Sequence, residues 1–232
     1  MSTPYNDVKD TLLDAALMHV AFDGWSEATF RAALADTDVD EALARSICPR
    51  GAVDLAIAYH ERGDAAMRAR AKTEDLSTLR YSEKVAAIVR FRLEAADDIE
   101  AVRRGTTLFA LPQHAADGAK LIWGTADAIW DTLGDTSRDI NWYTKRATLS
   151  GVYSATVLFW LGDTSDGNAD TWAFLDRRIE DVMQIEKVKA QVNDSVLLKP
   201  LLAGPKWAAS FIKAPMQYPK SDLPGSWMSP QD

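Results

Sequence analysis

The segment SEATFRAALADTDVDEALARSI, residues 26–47, decides the fold. Ser26 is a good N-cap for a helix from Glu27 to Leu34, because its side-chain oxygen can accept from an N–H of the first turn that has no partner inside the helix. A break at Ala35-Asp36-Thr37 follows, and Asp38 starts a second short helix that runs to about Ile47. Two short helices across such a break have the length and spacing of a helix-turn-helix. Upstream, Val8 to Phe22 reads as a helix that buries Leu12, Leu13, Ala16, Leu17 and Val20 on one stripe, with Asp23-Gly24 ending it. Downstream, Pro49-Arg50-Gly51 turns the chain into a longer helix from Val53 to about Arg70. A three-helix unit followed by a connecting helix results.

Helical periodicity continues to the end of the apolar sequence. Alternating β-branched runs are absent, so the fold class is all-α. A polar stretch, Lys72 to Leu79, separates the first unit, residues 1–72, from a larger helical domain, residues 73–214, and residues 215–232 form an extended, proline-bearing tail. Within the larger domain, helices are expected over Ser82 to Ile99, Glu100 to Ala110, His114 to Leu133, Asp139 to Trp160 and Asp170 to Val192. The last two are the longest, and they have the length to form half of a four-helix interface in a homodimer.

Composition excludes several classes of function. The chain has 232 residues, 47% hydrophobic and 26% charged, with a formal net charge of −8. Phosphate neutralisation needs clustered Lys and Arg, so nucleic acid is not an expected partner. The second helix of the helix-turn-helix supports this, since it begins with Asp40-Glu41 and offers Arg45 as its base. No apolar run reaches the ~18–20 residues needed to span a bilayer. The single cysteine, Cys48, permits no internal disulfide and reads as a packed, inert thiol. His19, His60 and His114 are scattered, without metal-ligand spacing, and no phosphate loop or nucleophile elbow is present. No enzyme activity, cofactor or metal is therefore expected.

Two segments carry binding chemistry instead. In Asp139-Ile140-Asn141-Trp142-Tyr143-Thr144-Lys145-Arg146, helical spacing puts Asp139, Trp142, Tyr143 and Arg146 on one stripe. Trp, Tyr and Arg are common anchors of binding surfaces, so an exposed partner-binding patch is expected there. Capping by Asp139 and stapling by Trp142 are compatible with that role. From Ser195 to Ala214, Leu201, Leu202, Trp207, Phe211 and Ile212 alternate with Lys206 and Lys213. That pattern suits an amphipathic helix at a membrane surface, starting or kinked at Pro205.

With these residues in view, the chain resembles the Coq-nine family, accessory proteins of ubiquinone biosynthesis. The resemblance rests on Asn141-Trp142-Tyr143-Thr144-Lys145-Arg146-Ala147, on Leu149, Val152 and Tyr153, and on Asp170-Thr171-Trp172 with Phe174, Leu175, Arg178 and Ile179. Phe22-Asp23-Gly24-Trp25-Ser26 and Pro49-Arg50-Gly51 with Val53-Asp54-Leu55 add to it. It implies a fold like that of TetR regulators, with DNA binding lost, and a pocket for an isoprenoid quinone precursor or phospholipid in the larger domain. Trp123, Trp130, Phe159 and Leu161 are expected to wall that pocket. It further implies docking to the di-iron demethoxyubiquinone hydroxylase through Asp139, Trp142, Tyr143 and Arg146. Mitochondrial members carry transit peptides; the polar start of this chain instead suggests a bacterial cytoplasm, peripheral to the inner membrane. A ligand-responsive regulator of TetR type is the alternative function.

Overall fold

The computed structural model describes residues 4–138 and 140–194, with side chains between 7 and 184. All regular structure among the described residues is helical: α1 (Pro4–Asp23), α2 (Glu27–Thr37), α3 (Glu41–Ile47), α4 (Ala52–Thr73), α5 (Tyr81–Glu94), α6 (Ile99–Ala110), α7 (Ala115–Thr132), α8 (Ile140–Trp160) and α9 (Ala169–Asp194). A single 3-10 turn, Asp166–Asn168, precedes α9.

The first three helices form as their caps dictate. Ser26 accepts from Thr29 N at 3.4 Å to start α2. The α2–α3 corner falls three residues later than the sequence suggests: α2 runs on to Thr37, Asp38 takes a left-handed conformation (φ 51°) and Asp40 is the cap of α3. Its Oδ1 accepts from Leu43 N at 2.9 Å. Gly51 then adopts φ 59°, a region costly for other residues, and turns the chain into α4.

Two apolar cores result. Leu12, Leu13, Val20, Phe30, Cys48 and Leu55 belong to the first, and Ile88, Val89, Ile129, Leu149, Tyr153 and Leu175 to the second. Helix α4 spans the sequence boundary between the two units. Its first half feeds one core through Leu55, Ala56 and Ala58, and its second half feeds the other through Met67. The expected helix to Ile99 ends instead at Glu94. Asp98 caps a new one, accepting from Glu100 N at 2.8 Å and Ala101 N at 3.3 Å. That local carboxylate–backbone bonding outweighs the apolar periodicity running through Ile99.

The α8–α9 hairpin is fixed by one acid. Asp163 accepts from Ser165 N at 2.8 Å, Thr171 N at 2.9 Å and Thr171 Oγ1 at 2.5 Å. These hydrogen bonds hold its carboxyl far below the usual carboxylate range. None of the described helices is long and apolar enough to cross a membrane.

Candidate functional site

The aromatic stripe of α8 meets α7 at a charged seam. Trp142 and Tyr143 are half-buried and pack edge to face, with centroids 4.8 Å apart. Trp123 of α7 adds a third ring, 5.9 Å from Trp142. Asp139 lies outside the described residues.

Arg146 does not belong to an exposed patch. It is 0% exposed, the largest fully buried side chain described. A helical side chain leans toward the N-terminus of its helix, and here it leads the guanidinium beneath the Trp142 ring, with Cζ 4.1 Å from the centroid. Three carboxylates wait there. Arg146 Nε donates to Asp127, Nη2 to Asp131 at 3.4 Å and Nη1 to Asp135 at 3.1 Å. Asp127 and Asp131 are one helical turn apart on α7, and Asp135 follows in the loop. Lys145 Nζ also binds Asp135, at 2.7 Å. Burial would raise the pKa of Asp135, but bonds from Lys145, Ser137 and Arg146 outweigh it and hold the carboxyl below its usual range. Asp131 is instead raised, by partial burial and then by the neighbouring charge of Asp127.

The main cavity lies elsewhere, between the two helical units. It has a volume of about 480 Å³ and runs among α4, α6, α7 and α8. Trp25, Tyr59, Phe109, Ile122, Tyr153 and Val157 give it an apolar wall. Trp25 is fixed by its Nε1, which donates to Ala101 O at 3.0 Å, and by the Tyr59 ring at 5.8 Å. At the rim, Ala110, Ala115, Ala119 and Leu158 are exposed, and Leu158 retains 62% of its surface.

One stretch of the cavity wall is polar: His60 and Arg92 line it, backed by Asp64 and Thr125. Arg92 Nε donates to Asp64 Oδ1 at 2.6 Å, and Arg92 Nη2 donates to His60 O at 3.0 Å. Thr125 Oγ1 lies 2.9 and 3.1 Å from the Asp64 carboxylate oxygens and 2.8 Å from His60 Nε2. Thr125 has one proton. If it goes to the carboxylate, His60 must donate to the Thr125 oxygen, which calls for the tautomer with hydrogen on Nε2. Burial, then the Arg92 charge, depress the His60 pKa to about 4, so the ring is neutral near pH 7. Gly63 is what admits this cluster: a Cβ there would lie 2.5 Å from Arg92 Nη1.

The four expected wall residues do not line this cavity. Trp123 packs on Trp142. Trp130 stacks on Tyr81 at 6.2 Å and borders a smaller pocket of about 270 Å³ among α5, α8 and α9. Phe159, 38% exposed, stacks outward on Phe174 at 4.6 Å, and Leu161 is buried in the second core. This cavity is not confined to the larger domain. Trp25, Tyr59 and His60, from the first unit, supply much of the wall. The expected membrane residues Leu201, Leu202, Lys206, Trp207, Phe211, Ile212 and Lys213 lie outside the described residues. Cys48 is buried, with its thiol pushed up by burial. Among the described residues no acid, His or Cys cluster could hold a metal.

A family model described as COQ9 matches residues 115–186, the segment that holds α7, α8 and the first part of α9. Over that segment the chain is similar to the COQ9 family. "Ubiquinone biosynthesis protein COQ9, mitochondrial" of Rattus norvegicus is 39% identical over 97 residues, covering 42% of this chain and 31% of that protein. "Ubiquinone biosynthesis protein COQ9-A, mitochondrial" of Xenopus laevis is 31% identical over 193 residues, 80% of this chain and 61% of that protein. The match thus spans about a third of the rat relative and less than two thirds of the frog one. A crystal structure of the TetR transcriptional regulator from Nitrosomonas europaea ATCC 19718 superposes with a TM-score of 0.61 at 20% identity, over 75% of this chain and 96% of that one. The fold is therefore TetR-like, as the helix-turn-helix spacing and the family resemblance both indicate.

Proposed function

We propose that this chain is a non-enzymatic accessory protein of ubiquinone biosynthesis. In this reading it holds an isoprenoid quinone precursor or phospholipid and presents it, at a membrane surface, to the di-iron demethoxyubiquinone hydroxylase. The observation that carries the reading is the apolar cavity of about 480 Å³ with an exposed alanine and leucine rim. Pockets of this size and lining take small apolar ligands. At ~30 Å³ for a water-sized group, it has room for on the order of 15 heavy atoms, a ring and the start of a tail. A longer tail would leave past Leu158. Similarity to ubiquinone biosynthesis proteins of rat and frog supports the pathway.

In the same reading, the half-buried Trp142 and Tyr143 form the partner surface, with Trp123 beside them and Arg146 supporting them from below. The segment Leu201, Leu202, Lys206, Trp207, Phe211, Ile212 and Lys213 would rest on the cytoplasmic face of a bacterial inner membrane. The Phe159–Phe174 pair, on α8 and α9, supports homodimerisation through those helices.

The test is native mass spectrometry of the purified full chain after incubation with a short-tailed ubiquinone precursor. One bound lipid per protomer is the expected result, and a chain that stays empty overturns the cavity reading. The regulator alternative is disfavoured by charge: Arg45 of α3 is paired with Glu27 and lies over the Phe30 ring at 4.4 Å, so its charge is already committed.

A further inference from the structure

We infer that the cavity selects an uncharged head group bearing a hydrogen-bond-accepting oxygen, held by Arg92 and Tyr153, and rejects an anionic one; this rests on the ligand-binding reading above. The Arg92 guanidinium on the wall and the Asp64 carboxylate behind it sit 2.6 Å apart and are nearly buried, so the positive charge that Arg92 brings to the cavity is already neutralised. His60 adds none, since its ring is neutral. Arg62, the other base on the wall, is paired with Asp14 at 2.6 Å and Asp10 at 3.6 Å, and Asp97 adds a further acid. A phosphate would therefore enter a desolvated site where no cation is left without a carboxylate partner. Burying a charge without such a partner is strongly unfavourable.

Donor capacity, by contrast, is left over. Arg92 uses Nε and Nη2 but no described residue accepts from Nη1, and the Tyr153 hydroxyl makes no hydrogen bond among the described residues. The two side chains are adjacent, with Arg92 Cζ 6.0 Å from the Tyr153 ring centroid. The buried side-chain polar atoms sealed off without a partner are Trp130 Nε1 and Ser150 Oγ. Arg92 Nη1 and the Tyr153 hydroxyl are not among them, so both face open volume, and both residues line the cavity. Buried donors are almost always satisfied, here by an oxygen that a ligand brings. A carbonyl or methoxy oxygen on an otherwise apolar ring fits: it accepts two hydrogen bonds and adds no charge.

The experiment compares tails of equal length on the delipidated full chain. A decyl-tailed benzoquinone is bound, read by tryptophan quenching, and then displaced by decyl phosphate or by decane. The quinone is expected to bind at least tenfold tighter than decyl phosphate. Tyr153→Phe should weaken quinone binding roughly three- to tenfold, the worth of one hydrogen bond, and leave decane unchanged. Arg92→Lys, which keeps the charge paired with Asp64 but loses the planar fork, should weaken the quinone in the same direction. Should that variant unfold, Tyr153→Phe, whose ring packing is intact, carries the test alone. Decyl phosphate binding as tightly as the quinone overturns the inference, as does a Tyr153→Phe protein with wild-type quinone affinity. If decane binds and the head makes no difference, only this inference falls. If quinone, phosphate and decane all fail to bind, the cavity is not a ligand site and the reading beneath falls with it.

Discussion

At the residue scale, Arg146 shows how one side chain can change meaning once its neighbours are known. On its own helix it shares a stripe with Trp142 and Tyr143, and a partner anchor is a natural reading. In the fold it closes α7 against α8 by serving Asp127, Asp131 and Asp135 at once. Arg146→Met should leave these acids facing one another, with Asp135 nearly buried, and cost about 3 kcal/mol or more, the loss typical of a broken buried pair. Thermal denaturation checks this. A wild-type melting temperature would mean that the seam contributes little. Arg146→Glu should be worse, so lost hydroxylase binding in that variant would not report on a surface.

His60 sets a pH dependence at the same scale. The unfolded ring binds its proton near pH 6.5, the folded ring only near 4. Between these values the unfolded state holds more protons, so stability falls as pH drops from about 6.5 to about 4 and is complete above. His60→Gln should flatten that part of a denaturation-versus-pH profile; an unchanged slope would assign it to other groups. Neither residue's role was legible in the sequence. The acids at 127, 131 and 135 do repeat every four residues, a visible signal, but the facing helix had to be known before Arg146 could be set against them. His60 looked isolated because Arg92 and Thr125 are brought in from α5 and α7, while Asp64 lies one turn along its own helix.

At the element scale, legibility is high where local chemistry decides. Ser26, Asp23-Gly24 and Pro49-Arg50-Gly51 mark their boundaries, and the helix-turn-helix follows from them. It was lower at Ala95–Asp98, where apolar spacing continues across a capping acid. The element α2–α3 should have no DNA function: its base, Arg45, is held by Glu27 within an acidic unit. No mobility shift is expected at ~150 mM salt on any operator-like palindrome, and a salt-resistant footprint would revive the regulator. The α7–α8 element carries the proposed partner surface. Tyr143→Ala removes a half-buried ring from the aromatic face and keeps every carboxylate partner of Arg146. Pull-down of the di-iron hydroxylase should drop by an amount typical of a hot spot, about 1–4 kcal/mol, at a nearly unchanged melting temperature. Full retention of the hydroxylase would remove Tyr143 from the partner surface.

At the scale of the whole molecule, the cavity and the membrane segment have to be considered together. The cavity is formed where the two helical units meet, which is why a search for apolar residues within one domain could not find it. Its volume suits a head group and the start of a tail, so the rest of a polyisoprenoid would stay in a lipid phase while the ring is bound. On the proposed reading the protein would sit on the bilayer during loading, and the sequence of residues 201–213 has the apolar and basic side chains for that contact. Removing the chain from Pro205 onward should sharply reduce co-flotation with anionic liposomes, while circular dichroism and binding of a short-tailed quinone in solution remain as in the full chain. Trp207→Ser with Phe211→Ser should reproduce most of the loss, because aromatic rings supply much of the interfacial area. Unchanged flotation in both would place membrane contact elsewhere. Loss of helicity on truncation would instead mean that the segment packs on the folded core, and that the membrane face must be sought near the rim of the cavity, at Leu158.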